Sequence, residues 1–505
     1  MNIRNRQRGE RAWATRAHDG VPSPGGEPHV PRIASRRDLL FRAGMGFGGL
    51  ALSALLAQDE ARADAGPEAA GRSAANPLSG RSGHLAARAD SVIFLFMEGG
   101  PSHLDLFDPK PELQRLAGQP LPASYGRPIT AMGVSSNALL PTKRTFRKYG
   151  KSGVEVSDWY PNVAKHVDRL CVIRSCWADG LNHVGSVCQM NTGSILAGRP
   201  SLGAWVQYGL GCANANLPGF VILLDEKEPI GGPKNWSSGF MPATYQGTQF
   251  RPDGAPILNL APPETLSGAQ QRSKLDFVQL LNHRYGRGRE DFTELDARIN
   301  AYELAFRMQS SATEAVSLAH ETESTRRLYG MDNPVTEKFG RNCLLARRMV
   351  ERGVRFVELY CGTGSQWDAH TDLEGNHSKM CAISDLPVAG LLTDLAQRGM
   401  LDRTLVVWGG EFGRTPMSEK GIGRDHNPYG FTMFMAGAGV KAGHVHGSTD
   451  DLGLRAVEGR AHVHDLHATI LHLLGLDHLR LTYRHHGRDE RATVNAGKVV
   501  EGILA

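Results

Sequence analysis

The chain has 505 residues and a formal net charge of +5, and the ten arginines and seven acids of residues 1–65 leave only about +2 for the rest. This balance, without a dense run of lysine and arginine beside aromatic residues, argues against a nucleic-acid-binding protein. The seven cysteines form no CxxC pair, which argues against a zinc ribbon. The 20 histidines cluster in the second half and favour metal chemistry there.

The first 65 residues have the parts of a twin-arginine export signal. Arg36 and Arg37 directly precede a short apolar stretch, Leu39 to about Leu56, and Ala61-Arg62-Ala63 resembles a signal-peptidase site. The apolar stretch is too short and glycine-rich for a stable membrane span, which needs about 20 apolar residues. We therefore expect the twin-arginine machinery to deliver the folded chain to the periplasm or the extracellular space, with residues 66–90 as a linker.

Beyond residue 90, apolar strand patterns alternate with helical ones. Strands are predicted at 91–97, 170–174, 220–224, 354–360, 404–408 and 431–436. Helices are predicted from 161 up to the second strand and at 292–330, 336–352, 378–400 and 463–474, with a loop-rich insertion at about 215–290. The alternation predicts an α/β domain over 91–505 with a mostly parallel central sheet flanked by helices.

The first predicted strand ends in a segment rich in polar side chains. Five of them fall within eleven positions: Glu98, Ser102, His103, Asp105 and Asp108. Open α/β sheets bind ligands beyond the carboxyl ends of their strands, so this segment is a candidate site. The alternative is a strand-to-helix turn whose serine and aspartate cap the next helix.

The strand predicted at 354–360 is followed by Asp368 and His370. In an extended segment, side chains two positions apart lie on the same side, so a carboxylate and an imidazole would face one ligand. That pairing suits Zn²⁺ or Mn²⁺. The alternative is a solvated loop.

The strand predicted at 404–408 leads to Glu411, with Arg414, Asp425 and His426 soon after. An unpaired carboxylate at the end of a buried strand is costly, so Glu411 needs a partner. A metal ion or an ion pair with Arg414 would satisfy it, and both stay open.

His183 lies at a predicted loop-to-helix transition, and Thr192-Gly193 is typical of the end of that helix. It is a fourth candidate for the site. The alternative is a surface histidine on a helix that a glycine terminates.

Five motifs occur in one order: MEGGPSHLDLFDPKP, WDAHTD, GGEFGRTP, GRDHNP and HDLHATILHLLGLD. Together they resemble the secreted domain-of-unknown-function family numbered 1501, from about residue 90 to the C-terminus. That family is similar in outline to the sulfatases and the alkaline phosphatase superfamily. The resemblance implies an alkaline phosphatase/sulfatase-like fold.

The resemblance also implies a site for a divalent metal (Zn, Mn, Ca or Mg). His183 falls where sulfatases have Cys or Ser and phosphatases Ser or Thr, so it would be a nucleophile or an extra ligand. The further site candidates are Ser102, His103, Arg414 and Asp425. The implied metal ligands are Glu98 (with Asp105 as its alternative), Asp368, His370, Glu411 and His426.

The implied chemistry is hydrolysis of a phosphate or sulfate ester on a small molecule or a polysaccharide. The Cys-x-Pro-Ser-Arg signature is absent, and Cys188 comes five residues after His183, so a formylglycine sulfatase is not expected. The alternative is a non-catalytic binding or cell-surface protein that keeps the fold without the reaction centre.

Overall fold

The computed structural model describes residues 78–251, 267–286 and 293–505, which belong to one compact unit, Asn76–Ala505. The predicted export signal, and the predicted linker up to residue 77, lie outside the described residues. Among the residues described, no helix is both long and apolar enough to cross a membrane.

A nine-stranded sheet forms the centre of the domain. Its strands are β1 (Ser91–Met97), β2 (Leu170–Trp177), β3 (Phe220–Leu223), β4 (Thr248–Phe250), β5 (Phe356–Cys361), β6 (Thr404–Gly409), β7 (Phe431–Ala436), β8 (His444–His446) and β9 (Ala461–His462). The spatial order is β8-β2-β7-β6-β1-β5-β3-β4, and β9 pairs with β2. Only β7 runs antiparallel to its neighbours.

Ten α-helices are described around this sheet. They are α1 (His103–Leu106), α2 (Pro111–Arg115), α3 (His183–Thr192), α4 (Leu202–Leu210), α5 (Gly268–Gly286), α6 (Thr293–Val316), α7 (Glu323–Leu328), α8 (Glu337–Glu351), α9 (Leu373–Gln397) and α10 (Val463–Leu473). Short 3₁₀ turns, one of them at Val163–Arg169, connect several elements.

Both faces of the sheet are buried, which explains the unbroken apolar runs of its strands. In β1 all seven residues are buried, and its side chains alternate between two core clusters. Ile93 and Leu95 pack with α8 and α9 in one cluster. Phe94 and Phe96 pack with α4 and α10 in the other. The structure thus confirms the predicted α/β class.

Three elements differ from the prediction. The single helix predicted at 292–330 is divided into α6 and α7. The segment at 161–169 is a 3₁₀ turn and not an α-helix, and it leads directly into β2. The insertion predicted as loop-rich ends in the 19-residue helix α5. The helical residues of α5 carry few apolar side chains in a regular stripe, so the pattern gave little indication of it.

An antiparallel hairpin follows β6 and lies between β6 and β7 in the chain. Its strands are Gly413–Glu419 and Gly423–Asn427, and every residue in both is buried. Since β7 is antiparallel, the hairpin returns to the edge where the parallel strands end. Consequently the loops after β1, β2, β5 and β6 and this hairpin meet at one edge of the sheet.

Candidate metal site

Four side chains converge at this carboxyl edge of the sheet. His183 is the first residue of α3, and Asp368 and His370 lie in the loop between β5 and α9. His426 lies on the second strand of the hairpin. One nitrogen or oxygen of each lies within 4.8 Å of the others, so one metal ion could contact all four.

The helix that presents His183 is defined by its own sequence. Asn182 caps α3 by accepting a hydrogen bond from the Gly185 amide, and Gly193 ends the helix in the left-handed conformation with φ of 78°. Both are preferred residues at those positions. The predicted loop-to-helix transition at His183 is therefore confirmed.

The contacts at the centre are those of ligand atoms around one point. Nε2 of His370 lies 3.0 Å from Nε2 of His426 and 2.9 Å from Oδ1 of Asp368. Nε2 of His183 lies 3.2 Å from Oδ2 of Asp368. Four ligands at about 2.1 Å in a tetrahedron lie about 3.4 Å from one another, so these separations fit a single divalent ion.

All three imidazoles are held from behind through Nδ1. Each Nδ1 has an oxygen acceptor, so it carries the proton and leaves Nε2 as an unprotonated donor atom in the neutral ring. The three pairs are His183 with Glu411 (2.7 Å), His370 with Glu419, and His426 with the carbonyl of Leu181 (2.8 Å). Metal-binding histidines have this arrangement, because the outer acceptor fixes the tautomer and the ring orientation.

Two polar atoms at the centre are buried without a hydrogen bond. They are Nε2 of His183 and Oδ1 of Asp368. Both lie within ion-pair distance of neighbours, but the geometry is not that of a hydrogen bond. Buried polar atoms without hydrogen bonds are costly, and a metal ion would satisfy both. The donor set therefore fits a metal.

The charges also call for a cation. Asp368, Glu411 and Glu419 all contact the imidazoles, and Glu411 and Glu419 are almost fully buried. Among the described residues, Arg414 is the only guanidinium within ion-pair distance of any of the three, at 2.7 Å from Asp368. Neutralising the rest takes about two more positive charges, which two imidazolium protons or one divalent ion would supply.

In the chain without a metal ion, the pKa shifts of two histidines favour imidazolium protons as the source of this positive charge. Burial acts to lower the pKa of His183, but its contacts with Asp368 and Glu411 outweigh burial and raise it to about 9. Burial also opposes the raised pKa of His370, which Asp368 and Glu419 support. His426 has a lowered pKa, because burial outweighs its contact with Asp368.

Arg414 ties the surrounding loops together. It is fully buried, forms an ion pair with Asp368, and donates hydrogen bonds to the carbonyl oxygens of Gly100 (2.9 Å) and Gly99. Glu411 in turn accepts a hydrogen bond from the Gly99 amide at 3.0 Å. Arg414 is thus paired with Asp368, and Glu411 is paired with His183, so the two do not form the simple ion pair considered from the sequence.

The polar segment after β1 is a brace for this site, and its acids lie outside the group of converging ligand atoms. Glu98 accepts from the amides of Ile230 (2.6 Å) and Gly364 (2.9 Å), and burial together with Glu411 raises its pKa to about 7. Asp105 is fully buried in an ion pair with Arg424, at 2.9 Å.

The other candidates of that segment also have internal partners. The Ser102 hydroxyl bonds to Asp105, and its amide donates to Nε2 of His377 at 2.9 Å. Nε2 of His103 bonds to the carbonyl of Gly453 at 2.8 Å. Asp108 pairs with Lys110 at 3.0 Å. The helix that follows has no side-chain cap at Ser102, so the capping alternative does not describe this turn.

Two carboxylates, Asp425 and Glu419, lie close to His370 and form a second group with it. These three side chains also offer atoms within 4.8 Å of one another. Asp425 accepts from the amides of Met132 and His426, both at 2.7 Å. Asp425 was a candidate from the sequence, whereas Glu419 was missed, since its neighbours Lys420 and Gly421 are typical of a solvated turn.

In comparisons with known proteins, residues 89–504 match the model of a family described as "Protein of unknown function (DUF1501)". No curated protein matches the chain. Among solved structures, the chain is similar to the PsFucS1 sulfatase from Pseudoalteromonas sp., at 14% identity and a TM-score of 0.33, over 80% of this chain and 72% of the sulfatase.

Two further solved structures resemble the chain. The alkaline phosphatase from the Antarctic bacterium TAB5 has 10% identity and a TM-score of 0.29, over 70% of this chain and 92% of the phosphatase. The phosphonate monoester hydrolase SpPMH from Silicibacter pomeroyi has 10% identity and a TM-score of 0.31, over 63% and 68%. Likenesses at these identities and TM-scores say nothing about the activity of this chain.

Proposed function

We propose that this chain is a metal-dependent hydrolase of phosphate or sulfate esters. It belongs to the DUF1501 family, whose members are described as proteins of unknown function. One observation carries the metal: three Nε2 atoms and one carboxylate converge, and every Nδ1 behind them is held by an acceptor. Such a set leaves lone pairs facing each other, and a cation resolves that repulsion.

The proposed ligands are His183, Asp368, His370 and His426. Three nitrogens and one oxygen suit Zn²⁺ or Mn²⁺ better than Ca²⁺ or Mg²⁺, which prefer oxygen ligands only. Glu98, Asp105 and Glu411 are not in this set. Glu411 instead holds His183 through Nδ1, and His183 becomes a ligand rather than a nucleophile.

A divalent ion held by these four residues would supply Lewis-acid chemistry, polarising an ester oxygen and activating a water molecule. The chain's own residues hold the proposed ligands and orient them. Glu411, Glu419 and the Leu181 carbonyl keep the three imidazoles in the tautomer that presents Nε2. Arg414, fully buried against Asp368 and backbone carbonyls, keeps that carboxylate in place.

Water is the proposed nucleophile. Within the described part of the chain, no serine, threonine or cysteine side chain makes a hydrogen bond to any of the four proposed ligands. Cys188, which lies near the position of the sulfatase cysteine, is buried on α3 with Thr192 as its side-chain partner. Because the proposed ligands hold no hydroxyl or thiol among the described residues, direct attack by water is favoured over a covalent intermediate on the chain.

We also propose that the enzyme acts outside the cytoplasm. The paired arginines, the short apolar stretch and the cleavage-like site in residues 1–65 support export by the twin-arginine route. That route carries folded proteins, so the metal would be loaded before transport. Replacing both Arg36 and Arg37 by lysine should retain the chain in the cytoplasm of its host, as fractionation would show.

A panel of aryl phosphates and aryl sulfates, assayed with added Zn²⁺ or Mn²⁺, tests the enzyme. Wild type should hydrolyse at least one class, and His370→Ala should lose the activity at least 100-fold, because it loses a ligand. His320→Ala, a substitution of an exposed histidine elsewhere, is the matched control and should keep the activity. A chain that binds the metal and hydrolyses no ester in either class would favour the non-catalytic binding protein.

A further inference from the structure

A cavity lined by charged and aromatic residues lies at the end of β2 and the start of α10. It has a volume of about 730 Å³, and we call it the Trp177 pocket. The residues that line it include Trp177, Asp179, Arg460, Asp465, Arg491 and Lys498. None of these residues belongs to the proposed metal site.

Three cations in this pocket have no acidic partner. Among the residues described, no carboxylate lies within ion-pair distance of Arg460, Arg491 or Lys498. The Arg460 guanidinium lies over the ring of Trp177, 4.4 Å from its centroid. Stacking on the ring leaves the N–H edge of the guanidinium free to donate, which suits a flat or tetrahedral anion.

The two acids of the pocket are already engaged by the protein. Asp179 bonds to Nε2 of His462 at 3.1 Å and also accepts from the Gln189 amide. Asp465 accepts from the backbone amides of His462 at 2.8 Å and Lys498 at 2.7 Å. Their negative charge is therefore partly compensated by donors of the chain. Arg491 donates to the carbonyl of Val494, which leaves Arg460 and Lys498 as the cations of the pocket that face a ligand.

The pocket and the metal site share one short segment of chain. Asp179 lines the pocket, the Leu181 carbonyl holds His426, and His183 is a proposed metal ligand. Four residues span at most about 14 Å, so the pocket wall and the metal site are neighbours. The Ala178 amide also donates to the Pro428 carbonyl at 2.9 Å, which fixes this segment against the end of the hairpin.

We propose that the Trp177 pocket binds a second anionic group of the same substrate molecule whose ester lies at the metal site. The substrate class is then a polyanion, such as an oligosaccharide that carries several sulfate or phosphate groups, rather than a singly charged ester. The ring of Trp177 would contact the body of such a molecule, and Arg460 and Lys498 its charge. This inference rests on the proposed ester hydrolase.

The test is binding of a sulfated dextran oligosaccharide to the full chain, with the unsulfated oligosaccharide of the same length as a reference. The double variant Arg460→Glu/Lys498→Glu should bind the sulfated probe at least tenfold more weakly than wild type. The matched control Arg147→Glu/Lys379→Glu makes the same charge change at exposed positions and should bind within twofold of wild type. Thermal unfolding confirms that each variant folds.

A second readout locates the contact without a substitution. The sulfated probe should slow acylation of the Lys498 amine at least threefold and leave Lys379 unchanged. Equal binding by the Arg460/Lys498 variant and wild type, or equal weakening by the control variant, would overturn the proposal. Binding is measured without catalysis, in wild type and in Asp368→Asn. A failure of the proposed hydrolase would therefore appear in the ester assay and would leave the binding result unchanged.

Discussion

Asp105 with Arg424 and Asp368 with Arg414 are two carboxylate–guanidinium pairs at the same edge of the sheet, and both arginines come from the same hairpin. Asp105 and Arg424 are fully buried and satisfy each other. Asp368 keeps a quarter of its side chain exposed and also faces three imidazoles. We call Asp105 with Arg424 the closed pair, because its members satisfy each other. We call Asp368 with Arg414 the open pair, because it can still contact a ligand.

The difference shows what distinguishes a structural ion pair from a site. Arg424 also donates to the carbonyls of Thr415 and Pro416, so no buried side-chain atom of Asp105 or Arg424 is left without a hydrogen bond. Oδ1 of Asp368 and Nε2 of His183 stay without hydrogen bonds. The charge of Arg414 alone does not satisfy the second pair, because three imidazoles also face the Asp368 carboxylate.

The largest expected effect comes from breaking the closed pair. Arg424→Met leaves Asp105 as a fully buried and unpaired carboxylate, so the free energy of unfolding should fall by about 3–5 kcal/mol. Urea unfolding measures it. Arg115→Met, which removes an exposed ion pair with Glu112, is the control and should change the value by less than about 1 kcal/mol. A loss below 1 kcal/mol for Arg424→Met would contradict the closed pair.

The open pair should respond to metal instead. Saturating Zn²⁺ or Mn²⁺ at 100 times the dissociation constant should stabilise wild type by about 2.7 kcal/mol, since the ion binds only the folded chain. Asp368→Asn removes a ligand charge and should abolish this gain. Thermal unfolding with and without metal compares the two. An equal gain in Asp368→Asn would place the ion elsewhere.

Glu419 sharpens the comparison further, because it acts on the ligand His370 from behind. Glu419→Ala should weaken metal binding about 10–100-fold by freeing the imidazole to turn, as for other acceptors behind metal-binding histidines. Competition with a chelator of known affinity measures it. The exposed Glu337→Ala is the control. Unchanged affinity in Glu419→Ala would show that His370 needs no such support.

Glu358 is another buried carboxylate, and within the described part of the chain no cation lies within ion-pair distance of it. Burial raises its pKa to about 8, above the ordinary 4.5 of the unfolded chain. The folded state therefore holds the proton more tightly, and ionisation of Glu358 destabilises it as the pH rises from 4.5 to 8. Over that window Glu358→Gln should gain stability relative to wild type by about 1 kcal/mol per pH unit. Urea unfolding at pH 5, 6 and 7 shows whether the difference rises; a flat or falling difference would contradict the raised pKa.

The strands and the edge at which the candidate residues meet could be predicted because unbroken apolar runs mark buried parallel strands. The pairing of Asp368 and His370 could be predicted for a different reason, because a two-residue spacing places both side chains on one side of an extended segment. The motif order pointed to the family that the model match then showed.

The partners of those residues could not be predicted, because they depend on the hairpin after β6. That hairpin places Arg414 opposite His426 and brings Glu419 against His370. It also moves Arg424 onto Asp105, which removes Asp105 from the acids available to a metal. Pairings across a turn of this kind carry no local signal, and Glu419 in particular looks like an ordinary turn acid.

The most direct test of the metal site is X-ray absorption at the zinc edge on the full chain loaded with one equivalent of Zn²⁺. The proposed ligands predict nitrogen and oxygen scatterers at about 2.0–2.1 Å, with the outer-shell pattern of three imidazoles. His426→Ala should reduce that pattern to two imidazoles. Failure to retain zinc, or a coordination shell without imidazole, would contradict the site formed by His183, Asp368, His370 and His426.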